Sequence, residues 1–215
     1  MDIGDLYAGL NALDAVRLQR NPDGSQAGLI VDAEPVVALQ AAPYVWDDLR
    51  FPVHGINPVG LASDPTIDTT TYLGTMLFSS SIENVIAGVA QMQHDWALGT
   101  EIHPHVHWAK TTSAAGGVVW EYRYAVADFS GVFGAYSAWE ACTYPAGDDN
   151  TANKHAVAAW SYSDMTGRKE SAIILWQVRR NPAAAADTYA ANARLLEFDI
   201  HYRRNRLGSP SELPI

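Results

Sequence analysis

The stretch VVWEYRYAV, residues 118–126, decides the fold prediction for this chain. Bulky apolar side chains alternate in it with charged ones, so an extended strand would place the two sets on opposite faces. The first set is Val118, Trp120, Tyr122 and Tyr124, and the second is Glu121 and Arg123. A period of two residues over this length predicts a β-strand with one buried face.

Two other stretches show the same alternation. In residues 101–110, EIHPHVHWAK, the apolar set is Ile102, Val106 and Trp108, and the opposite set is His103, His105 and His107. In residues 195–204, LLEFDIHYRR, the apolar set is Leu196, Phe198, Ile200 and Tyr202, and the opposite set is Glu197, Asp199, His201 and Arg203. We expect the apolar faces of both strands to form part of one core.

Eight strands in all are predicted between residues 72 and 204. They are Tyr72–Phe78, Asn84–Gln93, Glu101–Lys110, Gly117–Ala127, Tyr136–Tyr144, Ala156–Asp164, Ala172–Arg180 and Arg194–Arg204. Loops such as TSAAGG, PAGDDN and DMTGRKE separate them. This organisation predicts an all-β fold, an antiparallel two-sheet sandwich, and the jelly roll is the commonest eight-strand form of it.

The rest of the chain predicts an arm and a long loop. Apolar spacings of three and four over Asp2–Arg20 predict a helix, which the turn NPDG at residues 21–24 ends. A short strand over Leu29–Leu39, interrupted by Pro35, completes a helical or extended N-terminal arm over residues 1–45. The jelly-roll domain then occupies residues 46–215, beginning with a long Pro-rich ordered loop at 46–70. An alanine run after Pro182 predicts a short helix capped by Asn181 or a neighbour.

Composition excludes several classes of function. A formal net charge of −10 argues against a surface that neutralises the phosphates of a nucleic acid or an anionic membrane. No apolar run approaches the roughly 20 residues that a membrane span needs, and the N-terminus has no secretory signal pattern. The single cysteine, Cys142, is expected to be a small buried hydrophobe rather than a nucleophile.

The three alternating histidines are the candidate metal ligands. Residues two apart on a strand share a face and lie about 6.6 Å apart, so two of them can tilt towards one ion. The outer pair, His103 and His107, is about 13 Å apart, so this strand supplies at most one pair. The remaining ligands would come from other strands or subunits. The alternative is that the histidines line the wetter face of a strand and bind nothing.

The same stretch resembles half of the cupin signature. Gly99, five residues and then His105-Val106-His107 match its opening, but Thr111 and Thr112 stand where its glutamate is expected. Glu121, His155 or His201 would have to substitute for the missing ligands. Two features oppose this interpretation. Inward histidines would expose Ile102, Val106 and Trp108, and Pro104 favours an edge strand or a bulge.

Other candidate sites are weaker. The adjacent carboxylates Asp47 and Asp48, and likewise Asp148 and Asp149, diverge on an extended chain and are expected to be solvated loop groups rather than a glycosidase pair. An exposed loop aromatic such as Trp139 could bind carbohydrate. Neither a phosphate-binding glycine loop nor a nucleophile elbow is present.

Several motifs resemble an uncharacterised group of virion-associated proteins of tailed bacteriophages. The motifs are GINPVG, VIAGVAQMQHDW, IHPHVHW, VVWEYRY and FDIHYRR, and the likeness covers Phe51 to Arg204. The resemblance implies a jelly-roll component of the virion, made in the host cytoplasm, that associates as a ring such as a trimer.

From these features we predict a non-enzymatic structural protein with no required cofactor. Capsid decoration or a head spike is the first hypothesis, with the chain forming a homotrimer on other virion proteins such as the major capsid protein. A tail or tail-tip protein that binds carbohydrate is the second. The third is a cupin-like metalloprotein that binds a divalent metal through His105 and His107.

Overall fold

The computed structural model describes residues 44–56, 64–146 and 150–209, together with three strands nearer the N-terminus. These residues form an all-β structure of three antiparallel sheets. The strands are β1 Val16–Arg20, β2 Gln26–Val31, β3 Val37–Gln40, β4 Val45–Pro52, β5 Thr66–Ile67, β6 Met76–Phe78, β7 Asn84–Gln91, β8 His103–Lys110, β9 Val118–Ala127, β10 Glu140–Tyr144, β11 Ala156–Ala159, β12 Ile173–Arg180 and β13 Ala193–Arg204. A single turn of 3-10 helix, Val53–Gly55, follows β4.

The strand order is that of a jelly roll. One sheet has the order β10-β9-β12-β7, and the other has β11-β8-β13-β6-β5, with β4 pairing β13 beside β6. From β6 to β13, every connection crosses to the opposite sheet except the one between β9 and β10. The two sheets are therefore wound around each other as a double Greek key. All eight predicted strands are present, and the predicted sandwich is confirmed.

Aromatic side chains fill the space between the two sheets. Trp108 of β8 packs edge-on against Trp120 of β9, with ring centroids 6.0 Å apart. Trp176 of β12 packs on Phe198 of β13, with ring centroids 4.5 Å apart. Each of these rings lies on the buried face of its strand. The alternation therefore predicted correctly which face of these strands forms the core. Trp139, just before β10, is only half-buried and is not part of this core.

A bulge in β13 changes which leucine is buried. Leu195 pairs with Trp108 and Glu197 pairs with His107, so Leu196 is an extra residue with no partner on β8. Leu195 is fully buried, whereas Leu196 is only half-buried. The prediction that Leu196 belongs to the core face is therefore wrong, because the bulge restarts the alternation one residue later.

Pro104 lies opposite a second bulge. The strand β8 is central, since it pairs with β13 on one side and β11 on the other. Ala159 pairs with His105, and Ser163 bridges to Ile102. The segment from Ala159 to Ser163 is thus one residue longer than the part of β8 that it faces. The pairing is thus already irregular where Pro104 lacks an N–H. Of the two predicted settings for Pro104, the bulge is correct and the edge strand is not.

Two predictions for the N-terminal part of the chain need correction. Val16–Arg20, predicted as the end of a helix, is a strand that pairs with β2. The rest of the predicted helix, residues 2–15, and the predicted turn at 21–24 lie outside the described residues. The predicted loop at 46–70 contains β4, whose Val45–Pro52 pair with Glu197–Arg204 of β13. Leu49 and Phe51 pack on the core, and Pro52 is tolerated because it ends the strand. The division of the chain at residue 45 stays a prediction.

The alanine run after Pro182 forms turns rather than a helix. The reason is Arg180, which is fully buried at the end of β12. Its guanidinium donates to both carboxylate oxygens of Asp187 and to the carbonyls of Tyr189 and Ala191. These bonds hold the segment as a loop around one cation. Asn181 still caps its first turn, since its side chain accepts from the N–H of Ala183.

Candidate functional site

Histidine and carboxylate side chains cluster on the outer face of the sheet that contains β8, β13 and β4. On β8 the face opposite Val106 and Trp108 carries the three alternating histidines. On β13 the corresponding face carries Glu197, Asp199 and His201, as the alternation after the bulge requires. The predicted separation of the imidazoles from the core is confirmed by the full burial of Val106 and Trp108 on the other side.

Strand register brings two of the histidines to one aspartate. His105 pairs directly with Asp199 across β8 and β13, and His107 lies one position further on the same face. The Nε2 atom of His105 is 2.6 Å from Asp199 Oδ1, and the Nε2 atom of His107 is 3.2 Å from Asp199 Oδ2. The two Nε2 atoms are 3.1 Å from each other. We call His105, His107 and Asp199 the triad.

The second nitrogen of each triad imidazole also has a partner. His107 Nδ1 lies 2.6 Å from Nε2 of His155, which precedes β11. His105 Nδ1 lies 3.5 Å from the backbone carbonyl oxygen of His103. Both rings are therefore oriented with Nε2 towards Asp199.

The electrostatics of the triad favour an ionised carboxylate. Burial of Asp199 raises its pKa, but the close imidazoles of His105 and His107 outweigh this and lower the pKa to about 2. The same contact with Asp199 raises the pKa of His107. His201, on the next position of β13, has a lowered pKa because it is partly buried and lies near His105. The site thus places one carboxylate negative charge among several imidazoles.

His103 does not belong to the triad. Its Nε2 lies 3.5 Å from a carboxylate oxygen of Glu101, and its ring packs edge-on against Trp46. Of the three predicted ligands, the structure brings together His105 and His107 and leaves out His103. As strand geometry predicted, β8 contributes only two histidines to one cluster.

The sequence prediction missed Asp199 as a ligand candidate. It lies 92 residues from His107 along the chain, so spacing gave no signal. The alternation of β13 predicted that Asp199 lies on a polar face. Only the pairing of β13 with β8 shows that this is the face that carries the histidines. A second group, Asp48, Asp199 and His201, also has ligand atoms close together. In it His201 Nε2 contacts Asp48 Oδ1 at 2.9 Å.

The structure does not support the cupin interpretation. Cupin ligands point into the barrel, whereas these imidazoles lie on the outer face of their sheet. Glu121, one suggested substitute ligand, lies in the other sheet and pairs with Arg179. His155 and His201, the other two, do lie beside the triad.

A shallow hollow of about 420 Å³ gives access to the triad. Its lining is Asp48, Arg50, His107, His155, Leu196, Glu197 and Asp199. Arg50 forms a two-point ion pair with Glu197 at its rim, with distances of 2.7 and 2.8 Å. Water and small ions can therefore reach His107 and Asp199 from the surface.

Other candidate residues have structural roles. Cys142, predicted to be a small buried hydrophobe, is half-buried against the core, and burial raises the pKa of its thiol. Asp47 and Asp48 diverge as predicted, since Asp47 pairs with Arg204 and Asp48 with His201. Asp148 and Asp149 lie outside the described residues.

Trp139, the predicted carbohydrate contact, is already occupied by protein. The guanidinium carbons of Arg123 and Arg179 lie 4.4 and 4.1 Å from its ring centroid. Two cations thus already lie over ring surface on which a sugar would stack.

No family model matches this chain, and no curated protein matches it. Among solved structures, it is similar to the infectious bursal disease virus Gx strain structure, with 8% identity and a TM-score of 0.35 over 87% of this chain and 38% of that one. It is also similar to the CBM22-1 and GH10 modules of Clostridium thermocellum xylanase 10B, with 12% identity and a TM-score of 0.34 over 81% of this chain and 30% of that one. The chain thus spans well under half of either protein. The jelly-roll assignment comes from the strand order itself. Likenesses this distant carry no argument about the function of this chain.

Within the part of the chain that the structure describes, no helical segment has the length and apolar character of a bilayer span.

Proposed function

We propose that this chain is a non-enzymatic structural protein of a tailed-phage virion. In this proposal it is made in the host cytoplasm and becomes a capsid decoration or head-spike component. It assembles as a homotrimer and contacts other virion proteins such as the major capsid protein. The sequence motifs between Phe51 and Arg204 support the virion assignment, and the jelly-roll sandwich is a fold suited to such a role.

The observation that carries the assembly role is the outer edge of β7 from Val85 to Gln91, beside which the described residues place no further strand. This eight-residue strand ends its sheet and pairs only with β12 among the described residues. Its outward side chains include Val85, Ala87 and Val89, and Val89 is 57% exposed. Proteins usually protect long edges with charges, prolines or bulges, and β7 has none of these within its length. The strand β4, which among the described residues pairs only with β13, by contrast carries Asp47, Asp48, Arg50 and Pro52.

A groove lies beside this edge and enlarges the surface that a second copy could cover. It has a volume of about 360 Å³, and its lining combines apolar side chains with Arg50. Its lining includes Phe51, Pro52 and Ile56 on one side and Ala87 and Val89 on the other. A subunit that pairs with β7 would bury the groove in the same contact, and obligate interfaces are typically apolar in this way.

The position of the triad supports a role without catalysis. Active sites are usually concave and exclude water during the reaction. The hollow beside His107 and Asp199 is shallow and opens on a flat sheet face. The side chains of His105 and Asp199 are almost buried, at 6% and 5% exposure, so the hollow admits water or an ion to the triad rather than a larger substrate.

Light scattering of the purified chain at micromolar concentration tests the oligomer. We expect a trimer, and we expect Val89→Lys to dissociate it because a charge would be buried at the edge. Val132→Lys is the matched control, since Val132 is 92% exposed on the β9–β10 connection and belongs to no edge strand. A wild-type monomer would contradict the proposal. Labelling intact particles with an antibody against the chain tests the location, and label confined to the tail would contradict a capsid position.

A second candidate is a tail or tail-tip protein that binds carbohydrate. The exposed pair Tyr44 and Trp46, at the start of β4, favours it. The Arg203 guanidinium lies 5.6 and 4.9 Å from their ring centroids, and both rings remain about half exposed, at 46% and 48%, so they offer aromatic surface to a sugar. Retention on host surface glycan that is lost in Trp46→Ala and kept in Trp139→Ala would support it. Absence of retention would remove it.

A further inference from the structure

We propose that the triad of His105, His107 and Asp199 binds one divalent transition-metal ion, with Zn²⁺ as the best match. The inference goes beyond the virion role and does not depend on it. It also differs from a cupin centre, because the ligands lie on the outer face of a sheet and one of them is an aspartate of the neighbouring strand.

The first argument is the spacing of the three ligand atoms. Zinc holds imidazole nitrogen and carboxylate oxygen at about 2.0–2.2 Å, so two ligand atoms of a tetrahedral site lie roughly 3.3 Å apart. The observed separations are 3.1 Å between the two Nε2 atoms, 3.2 Å from His107 Nε2 to Asp199 Oδ2 and 2.6 Å from His105 Nε2 to Asp199 Oδ1. Small shifts of these side chains would place all three around one ion.

The second argument is a buried carboxylate oxygen without a hydrogen bond. The Asp199 side chain is only 5% exposed, and its Oδ1 atom accepts no hydrogen bond. Its near neighbour is the Nε2 atom of His105 at 2.6 Å, the nitrogen that would itself bind a metal ion. A buried acceptor in this condition destabilises the fold unless another partner satisfies it. A cation between Oδ1 and the imidazoles would do so.

The third argument is the orientation of the two imidazoles. A metal-bound histidine usually donates its other ring N–H to a neighbouring acceptor. His107 Nδ1 is within hydrogen-bond distance of His155 Nε2, and His105 Nδ1 faces the carbonyl of His103. With both Nδ1 atoms protonated, both Nε2 lone pairs face Asp199. His155 is then a positioning residue rather than a ligand.

The chemistry of the donor set selects the metal. Two imidazoles favour zinc, copper, iron or nickel over magnesium and calcium, which prefer all-oxygen sites. Two nitrogens and one oxygen match the three-ligand zinc sites that keep a fourth position for water. The hollow beside His107 and Asp199 leaves room for that water and a path for the ion.

Zinc titration of untagged, chelator-treated protein tests the proposal. Competition with a chromophoric chelator should give one Zn²⁺ per chain, and binding should raise the thermal midpoint. His107→Ala and Asp199→Asn should each weaken zinc binding by more than about 100-fold, beyond the roughly 10–100-fold expected when a positioning residue such as His155 is lost. Cobalt substitution supplies a spectroscopic readout, since the visible bands of bound Co²⁺ should disappear in His107→Ala.

His103→Ala is the matched control, because it removes an imidazole from the same face of the same strand without touching the triad. It should retain zinc affinity within a few-fold. Circular dichroism of each variant in chelator establishes that the fold is intact, and His107→Gln replaces His107→Ala if the latter does not fold. The proposal is overturned if wild-type protein binds no zinc, if His103→Ala loses as much affinity as His107→Ala, or if calcium binds as tightly as zinc.

Discussion

Arg180 and Asp187 form a two-point ion pair that is almost completely shielded from solvent, with side-chain exposures of 0% and 2%. The pair fixes the loop that replaces the predicted alanine helix. Asp187 also accepts a hydrogen bond from the backbone N–H of Val119, so the same carboxylate ties the loop to the start of β9. One buried pair therefore ties the loop between β12 and β13 to β9, the neighbour of β12 in the same sheet.

We expect Arg180→Met to lower the free energy of unfolding by about 3–5 kcal/mol, because it leaves the Asp187 charge buried without a partner. Urea denaturation measures this change. The matched control is Arg168→Met, which breaks an ion pair with Asp128 at a site where Arg168 is 40% exposed. Exposed pairs contribute less than about 1 kcal/mol, so a similar loss in both variants would contradict the argument.

Gly88 of β7 is required by the indole of Trp176. A Cβ atom at residue 88 would lie 2.2 Å from Trp176 Cζ2, well inside van der Waals contact. We expect Gly88→Ala to destabilise the protein by about 1–3 kcal/mol, as overpacking of a core does. Gly55→Ala is the control, since no atom lies within 4 Å of the added carbon. A neutral Gly88→Ala in thermal unfolding would show that Trp176 can move away at little cost.

Asp68 gives a pH dependence of stability. Hydrogen bonds from the backbone of Thr70 and Thr71, and then from Arg194, lower the pKa of its carboxyl. The unfolded pKa is about 3.9, so the stabilisation is complete above that value and is lost as the pH falls towards the lower folded pKa. We expect wild-type protein to lose more stability than Asp68→Asn between about pH 5 and pH 2. Parallel curves of unfolding free energy against pH would contradict this.

Cys142 should react slowly in the native protein. Its half-buried position raises the pKa of the thiol, and the thiolate is the reactive form. We expect a disulfide reagent at pH 8 to modify native protein more slowly than protein in denaturant. Equal rates would show that the thiol is exposed and unperturbed.

The sequence was most informative where one face of a strand is buried. The alternation in residues 118–126 identified β9 and the inward direction of Trp120 and Tyr122, because burial on one side of a sheet imposes a period of two. It failed for Leu196, since two adjacent leucines look equivalent until the register with β8 selects Leu195. The β4 strand was missed because the surrounding prolines indicated a loop.

The triad was only half predictable. Strand geometry limits β8 to one histidine pair, and the structure selects His105 and His107 as that pair. Asp199 could not be assigned, because its proximity depends on which strand lies beside β8. The alanine run failed for a related reason. Local propensity favoured a helix, but the buried charge of Arg180 requires carbonyl acceptors that only an irregular loop supplies.

The triad residues all belong to β8 and β13, which are paired side by side in the middle of their sheet. None of them belongs to a connecting segment. The turns at either end of the sandwich can therefore change in length or sequence over evolution while the imidazoles and the carboxylate keep their spacing. The same separation makes the β9–β10 connection a suitable place to insert a foreign peptide without disturbing the triad.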